Sequence, residues 1–286
     1  MLLSACQKQE TENNVPKGAL LLSAEEFVDH NGQKTSVLDN SVQWCNGDVV
    51  VINENEYTVI VDEVNHTAYI DPSANPIGTG ELLACYPNNF YSYSTLFHHA
   101  LVFPDTASSS IRSDGRQVIT LPMLAHADAN GEGHTTLRFY HASAAVKVMM
   151  WNTTPNTLTV TKVKLMTDDY RLNALVSYNE FPDPTASCEP QHGTYPSHRY
   201  VEVTFPDPGQ PGALEILAGD DTKSVQVPIF PIGADNMTIE IYCTDGTHNY
   251  LYSCANSCPA LSRNQMMTAR AKLATGDGNH MSEIIP

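Results

Sequence analysis

The chain has 286 residues, with 15 Lys and Arg against 32 Asp and Glu, for a formal charge of −17. So acidic a surface argues against nucleic acid and anionic lipid headgroups as partners, and no run reaches the ~18 apolar residues of a membrane-crossing helix. The length suffices for two ordinary domains with cores that need no disulfide staples.

In chain order, the first signal is Leu3-Ser4-Ala5-Cys6. An apolar residue, two small residues and a cysteine read as a lipobox, the cutting site of a bacterial lipoprotein signal peptidase. The Cys6 thiol would then carry a covalent lipid, the only prosthetic group expected, and would anchor the chain to the cell outer membrane with its body exposed at the surface. A working export signal needs a basic region and an apolar region of ~7–15 residues. Only five residues precede Cys6, a shortfall that a longer open reading frame would supply. The polar run Gln7 to Asn14 reads as a flexible tether, and residues 1–30 as signal remnant, tether and lead-in. Ala19-Leu20-Leu21-Leu22 fits a first strand or a short helix.

From there the pattern is β almost throughout. Val49-Val50-Val51-Ile52, the polar turn Asn53 to Glu56, and an alternating run from Tyr57 to Asp62 predict a hairpin-like pair. Val201, Val203 and Phe205 alternate with polar residues, as do Val225, Val227 and Ile229, and Met237, Ile239, Ile241 and Cys243. Period-two alternation predicts one buried and one wet face, as in an antiparallel sandwich. Two phase slips stand out. Leu137 and Phe139 hold one phase, Val146, Val148 and Met150 the other, with the small residues Ala142 to Ala145 between them. A strand cannot change its buried face without an extra residue or a bend, so this is a long bulged strand or two strands at a sandwich corner. Leu158 and Val160, then Val163 and Leu165, repeat the slip.

The 18 prolines and 16 glycines fall mostly between alternating runs, and no amphipathic helix longer than two turns emerges. Many short strands with frequent turn signals predict an all-β chain of two tandem sandwiches. They are placed at residues 31–152 and 153–286.

Chemistry-bearing groups are sparse. Setting Cys6 aside leaves Cys45, Cys85, Cys188, Cys243, Cys254 and Cys258, whose spacing matches neither a disulfide scaffold nor a zinc site, so local pairing or free thiols are expected and no metal. His98-His99 would face opposite ways in a strand, and Asp168-Asp169 reads as a turn cap. No catalytic motif is found, and the expectation is a protein that is not an enzyme. Tyr91, Tyr93, Tyr195 and Tyr200 are tyrosines that could stack on sugars. Asn65, Asn152 and Asn236 head N-glycan acceptor patterns, but the machinery that uses them is not expected for such a bacterial lipoprotein.

Several segments together resemble the fimbrillin family, the type V pilins of anaerobic Gram-negative bacteria. Trp44-Cys45-Asn46-Gly47-Asp48 leading into Val49 to Ile52 is similar to that family's early W-x-x-G-D strand pair. Ala84-Cys85-Tyr86-Pro87 is similar to its A-x-Y-P strand end, and Leu121 to Ala125 to its P-M-x-A segment. Leu137 to Val148 matches its L-x-F-x-H-x-x-A-x-x-x-V strand, and Leu261 to Gln265 precedes a closing run through Met267, Ala269, Ala271 and Leu273. The resemblance spans Gln43 to Leu273.

It implies two transthyretin-like antiparallel β-sandwich domains of Greek-key type. It also implies assembly with other fimbrial subunits by donor-strand exchange, in which a protease removes an N-terminal strand and a neighbour's strand fills the groove. Such a subunit would act in adhesion, with a host or bacterial surface glycan or protein as a further partner. Stalk subunits of the family are matured at an arginine. Here none precedes Arg112, and the maturation candidates are Lys17 and Lys34. The tail after Leu273 offers only Ala274, Met281, Ile284 and Ile285 as apolar residues, a poor donor strand. Both departures favour an anchor, accessory or tip subunit over a stalk. The alternative is a monomeric glycan-binding surface lipoprotein. Asp105-Thr106-Ala107 resembles the short O-glycosylation motif of exported proteins of the same bacterial group, which makes Thr106 the candidate residue.

Overall fold

Alternating apolar and polar side chains become strands wherever the computed structural model describes the chain. The described residues are 15–29, 44–65, 67–73, 76–88, 91–94, 98–102, 105–113, 115–119, 121–130, 134–172, 175–178, 198–219, 221–274 and 281–284. Among them every regular element is a strand, so the fold is all-β. Leu20 to Leu22 of the apolar run belong to a strand, Leu20–Ala24.

One core is enclosed by an eight-stranded sheet. Its order is Asn55–Thr58, Val49–Ile52, Gly80–Tyr86, Met123–Ala129, Thr135–His141, Leu20–Ala24, Thr67–Ile70 and Ile60–Asp62. The two outermost strands are separated in sequence only by the buried Val59. A sheet with edge strands joined by one residue must fold over on itself. The space it encloses is filled by Leu20, Leu22, Val50, Ile52, Leu82, Met123, Leu137 and Phe139.

The second core lies between two sheets. One runs Val28–Asp29, Gln265–Leu273, Ala144–Asn152 and Asp221–Ile229. The other runs Thr106–Ser108, Tyr200–Thr204, Leu158–Thr167, Asp235–Thr244, Asn249–Cys258 and Met281–Ile284, with Leu214–Ile216 beside Leu158–Thr167. Val146, Val148, Met150, Leu165, Val203, Val227, Ile239 and Leu273 meet between them. Two short segments from the first half of the chain, Val28–Asp29 and Thr106–Ser108, thus pair in sheets of this second core.

Both phase slips have physical causes. Thr135–His141 and Ala144–Asn152 are separate strands in different sheets, and the chain turns a corner between them with every residue from His141 to Val146 buried. Only small side chains fit so tight a passage. The second slip is a register shift between Val160 and Lys162, a β-bulge in Leu158–Thr167 against Asp235–Thr244.

The expectation of purely antiparallel sheets is corrected. Leu20–Ala24 runs parallel to Thr135–His141, Gln265–Leu273 parallel to both Val28–Asp29 and Ala144–Asn152, and Thr106–Ser108 parallel to Tyr200–Thr204. Hairpins fix antiparallel neighbours, whereas these partners lie far apart in sequence and no turn dictates their direction.

The hairpin at 49–58 is tighter than expected. Its loop is only Asn53-Glu54, with φ of 45° and 69°. Two successive positive values define the type I′ turn, whose twist matches that of the flanking strands. Asn53 also pins the turn to the next strand: its Nδ2 donates to the Glu81 carbonyl and its Oδ1 accepts from the Leu83 amide, both at 2.9 Å. Glu54 sits in the left-handed region without such help. Glu54→Gly is therefore expected to raise unfolding stability by about 0.5–1 kcal/mol. Asn53→Ala is expected to lower it by about 1–2 kcal/mol. Urea midpoints at unchanged slope measure both.

Candidate functional site: the first strand and its polar junction

The segment from Pro16 to Asp29 touches both cores. A turn closed by the Ala19 amide donating to the Pro16 carbonyl at 3.0 Å aims the chain into Leu20–Ala24. That strand sits inside the eight-stranded sheet, parallel to Thr135–His141 on one side and antiparallel to Thr67–Ile70 on the other. Leu20 and Leu22 point into the core at 3% and 8% exposure. Four residues on, Val28–Asp29 pairs with Gln265 and Met266 in the other body.

Between the two pairings lies a polar junction. Glu25 accepts three bonds through its carboxylate: from the His141 amide at 2.7 Å, from Arg263 Nη1 at 2.9 Å and from Asn264 Nδ2 at 3.1 Å. His141 Nε2 lies 3.1 Å from the Glu25 carbonyl, so the ring is protonated there and donates. Its Nδ1 is buried with no hydrogen-bond partner. Phe27 stacks on this imidazole at 3.8 Å between ring centres and packs with Leu121, Ala145 and Met266 in a small core of its own. Backbone bonds tighten the joint, from the Val28 amide to the Asn264 carbonyl at 3.0 Å and from the Asn264 amide to the Ser143 carbonyl at 2.8 Å. Asn264, at φ 60°, occupies the left-handed region that asparagine tolerates.

Burial sets the electrostatics. It pushes the Glu25 carboxyl above its ordinary range, against the opposing pull of the Arg263 guanidinium. It drives the His141 imidazole down to about 3, so His141 is neutral.

The quoted motifs now have physical reasons. Trp44 packs edge-on against Phe139 and Tyr86 at 5.0 and 5.1 Å. Gly47, at φ 91°, makes the turn, and the Asp48 carboxylate accepts from the Cys45 amide at 2.8 Å and from the Tyr86 hydroxyl at 3.2 Å. Leu137, Phe139, His141, Ala144 and Val148 are all fully buried.

The sequence-predicted residues are scattered. Lys17 is exposed just before Leu20–Ala24. A cut there would leave that strand joined to the chain that follows, whereas a cut at Lys34 would leave it held by pairing alone. Lys34 and Cys6 lie outside the described residues, as do Cys188 and Tyr195. Thr106 is exposed on the edge strand Thr106–Ser108. Tyr200 is half-buried, with His198 stacked at 5.1 Å and Lys164 Nζ 4.6 Å from its ring centre. Tyr91, Tyr93, His98 and His99 lie in two paired strands.

Asp168 accepts from Asn236 Nδ2 at 3.1 Å, and the Asp235 carboxylate accepts from the Asp169 and Tyr170 amides, so this acidic pair belongs to a turn network. Asn152 is fully buried and donates to the Asn156, Ile216 and Leu217 carbonyls, which leaves no amide for a glycan. Cys45, Cys85, Cys243, Cys254 and Cys258 are free thiols, and burial pushes Cys85 and Cys243 up to about 12. No cluster of three or more metal-ligating side chains occurs among the described residues. Sequence reasoning missed Glu25 and Phe27. The acidic pair Glu25-Glu26 directly after an apolar strand looks like ordinary surface, and nothing local marks the partners of Glu25 in residues 141 and 263–264.

No family model matches this chain, and no curated protein matches it. Three solved structures illustrate what it is similar to. A candidate cell adhesion protein from Bacteroides ovatus aligns over 94% of this chain and 96% of its own, at 14% identity and a TM-score of 0.49. One from Bacteroides uniformis aligns over 94% and 96%, at 11% identity and 0.48. A fimbrial protein from Bacteroides ovatus aligns over 93% of this chain and 50% of its own, at 10% identity and 0.35.

Two outcomes are expected of the junction. Glu25→Ala strips the nearly buried Arg263 of its carboxylate and should cost about 3 kcal/mol in denaturant unfolding. Because the folded pKa of His141 is depressed, the stability it supports is complete above the unfolded value of ~6.5 and is lost as pH falls toward about 3. Glu25, with a raised folded pKa, works in the opposite sense as it takes up a proton. The His141 contribution should fall by about 2 kcal/mol at pH 5, and His141→Gln should flatten this slope in unfolding midpoints measured from pH 7 to 5.

Proposed function

We propose that this chain is a surface subunit of fimbrial or fimbria-like type, held to the outer membrane by lipid on Cys6 and acting in adhesion and assembly. Its two sandwiches serve as transthyretin-like modules, and its first strand is the piece that strand complementation replaces. The observation that carries this reading is the position of Leu20–Ala24. A strand from the start of the chain lies between two others that do not pair with each other, and it lends two leucines to the core. Withdrawing it would open a groove with unpaired backbone on both walls, which an incoming strand can fill by β-augmentation.

The second half of the assembly cycle has less support here. Met281–Ile284 pairs antiparallel with Asn249–Tyr252 at the edge of its own sheet. A tail docked at home is not extended toward a neighbour. This favours an anchor, accessory or tip subunit, which receives a strand, over a stalk subunit that also gives one. No chemistry is assigned to the chain.

Strand withdrawal is tested with a lysine-specific protease and a biotinylated peptide of residues 18–29. Protein cut at Lys34 should take up the peptide, while uncut protein and protein cut only at Lys17 should not. Failure of the Lys34-cut form to exchange would refute the removable-strand reading. For the anchor, Cys6→Ala should move the protein from the membrane fraction to the soluble one, and persistence in the membrane would reject lipidation at Cys6.

A further inference from the structure

One sheet face combines features that the strand-exchange reading does not use. In the sheet built on Ala144–Asn152, the inward phase is Val146, Val148 and Met150, flanked by Ala269 and Ala271 on one side and Val225 and Val227 on the other, all buried. The register therefore places nine side chains outward in three rows. They are Lys147, Gln226 and Thr268; Met149, Ser224 and Arg270; and Trp151, Thr222 and Lys272. Three are cations and none is an acid, in a chain with only 15 Lys and Arg among 286 residues and a charge of −17. Composition alone would put about half a cation on nine positions.

Trp151 is 42% exposed, and Lys272 Nζ lies 5.4 Å from its ring centre. One end of the face is closed where Phe27 and Leu121 pack over Ala145 and Met266. Its flank is held by Gln117, which accepts from the Gln226 amide at 2.6 Å and donates to the Gln226 carbonyl at 3.0 Å.

We propose that this face is a binding shelf for an acidic oligosaccharide built from uronic acids. Size decides between classes of partner. Three strands at ~4.8 Å spacing and four residues at ~3.4 Å span an area of about 10 by 14 Å. That is far below the ~800 Å² a protein partner buries on each side, and it accommodates two or three sugar rings. The exposed indole supplies a flat apolar surface for the carbon–hydrogen face of a pyranose. The Arg270 guanidinium is the fork that grips a carboxylate, with Lys272 as a point charge in the next row. A neutral sugar would use the indole and leave the cations idle.

The test of the shelf leaves the first strand in place. Isothermal titration of the full chain compares trigalacturonate with maltotriose at low and high salt. Saturable binding of trigalacturonate is expected, weakening as salt rises, with maltotriose much weaker. Trp151→Ala, and separately the pair Arg270→Gln with Lys272→Gln, should each weaken binding at least about tenfold. Unfolding midpoints should stay near wild type, since these side chains face away from the core. The proposal is overturned by absence of saturable binding at low salt, by equal binding of the neutral sugar, or by variants that keep wild-type affinity. A heparin-derived trisaccharide that binds where trigalacturonate does not would overturn the uronate assignment. Self-association that Trp151→Ala abolishes, with no sugar bound, would replace the sugar with a second copy of the chain.

Discussion

A carboxylate taken out of water must find donors, and Glu25 finds them in parts of the chain more than a hundred residues away. The His141 amide comes from the corner between the two cores, and Arg263 and Asn264 come from the loop before the strand Gln265–Leu273 of the second body. Losing any of these partners leaves a buried charge underpaired, the costly half of the ion-pair ledger. Phe27 and the neutral His141 fill the space around the charge and exclude the water that would otherwise relieve it. The junction is therefore specific before it is strong: it fixes which residues meet where the two bodies touch.

The same segment serves two sheets, and that couples features otherwise distant. Leu20–Ala24 completes the first core, while Val28–Asp29 forms the edge of the sheet that carries Trp151 and its cations. Phe27 also closes one end of that face. Any event that draws the segment out would bare a groove in one body and reopen the end of the shelf in the other. In the proposed subunit, Phe27 would then link assembly state to sugar recognition.

Period-two alternation was legible because it reports directly on burial. Met237, Ile239, Ile241 and Cys243 are buried as read, and the slips at 142–145 and 160–162 are a corner and a bulge. Direction was not legible. The parallel pairings join segments such as 20–24 and 135–139, and no turn between them records which way they run. The junction was illegible for a related reason, since its energy depends on Glu25 meeting residues that only the finished topology brings near. Tyr200 shows the opposite failure: an aromatic that the sequence offered as a stacking surface is half-buried, with Lys164 and His198 already beside its ring. Trp151, silent among the apolar residues of its strand, is exposed.

The parallel pairing of the first strand has a consequence in time. Residues 20–24 leave the ribosome, and any export channel, before residues 135–139 exist to receive them, and Val28–Asp29 must wait for residues 265–266. Contacts so distant in sequence form late, because the loop between them must close before they return any energy. This segment is thus made before either of its partners and finds its place only after both exist. Until then its leucines are unburied and its backbone can pair with any other open sheet edge.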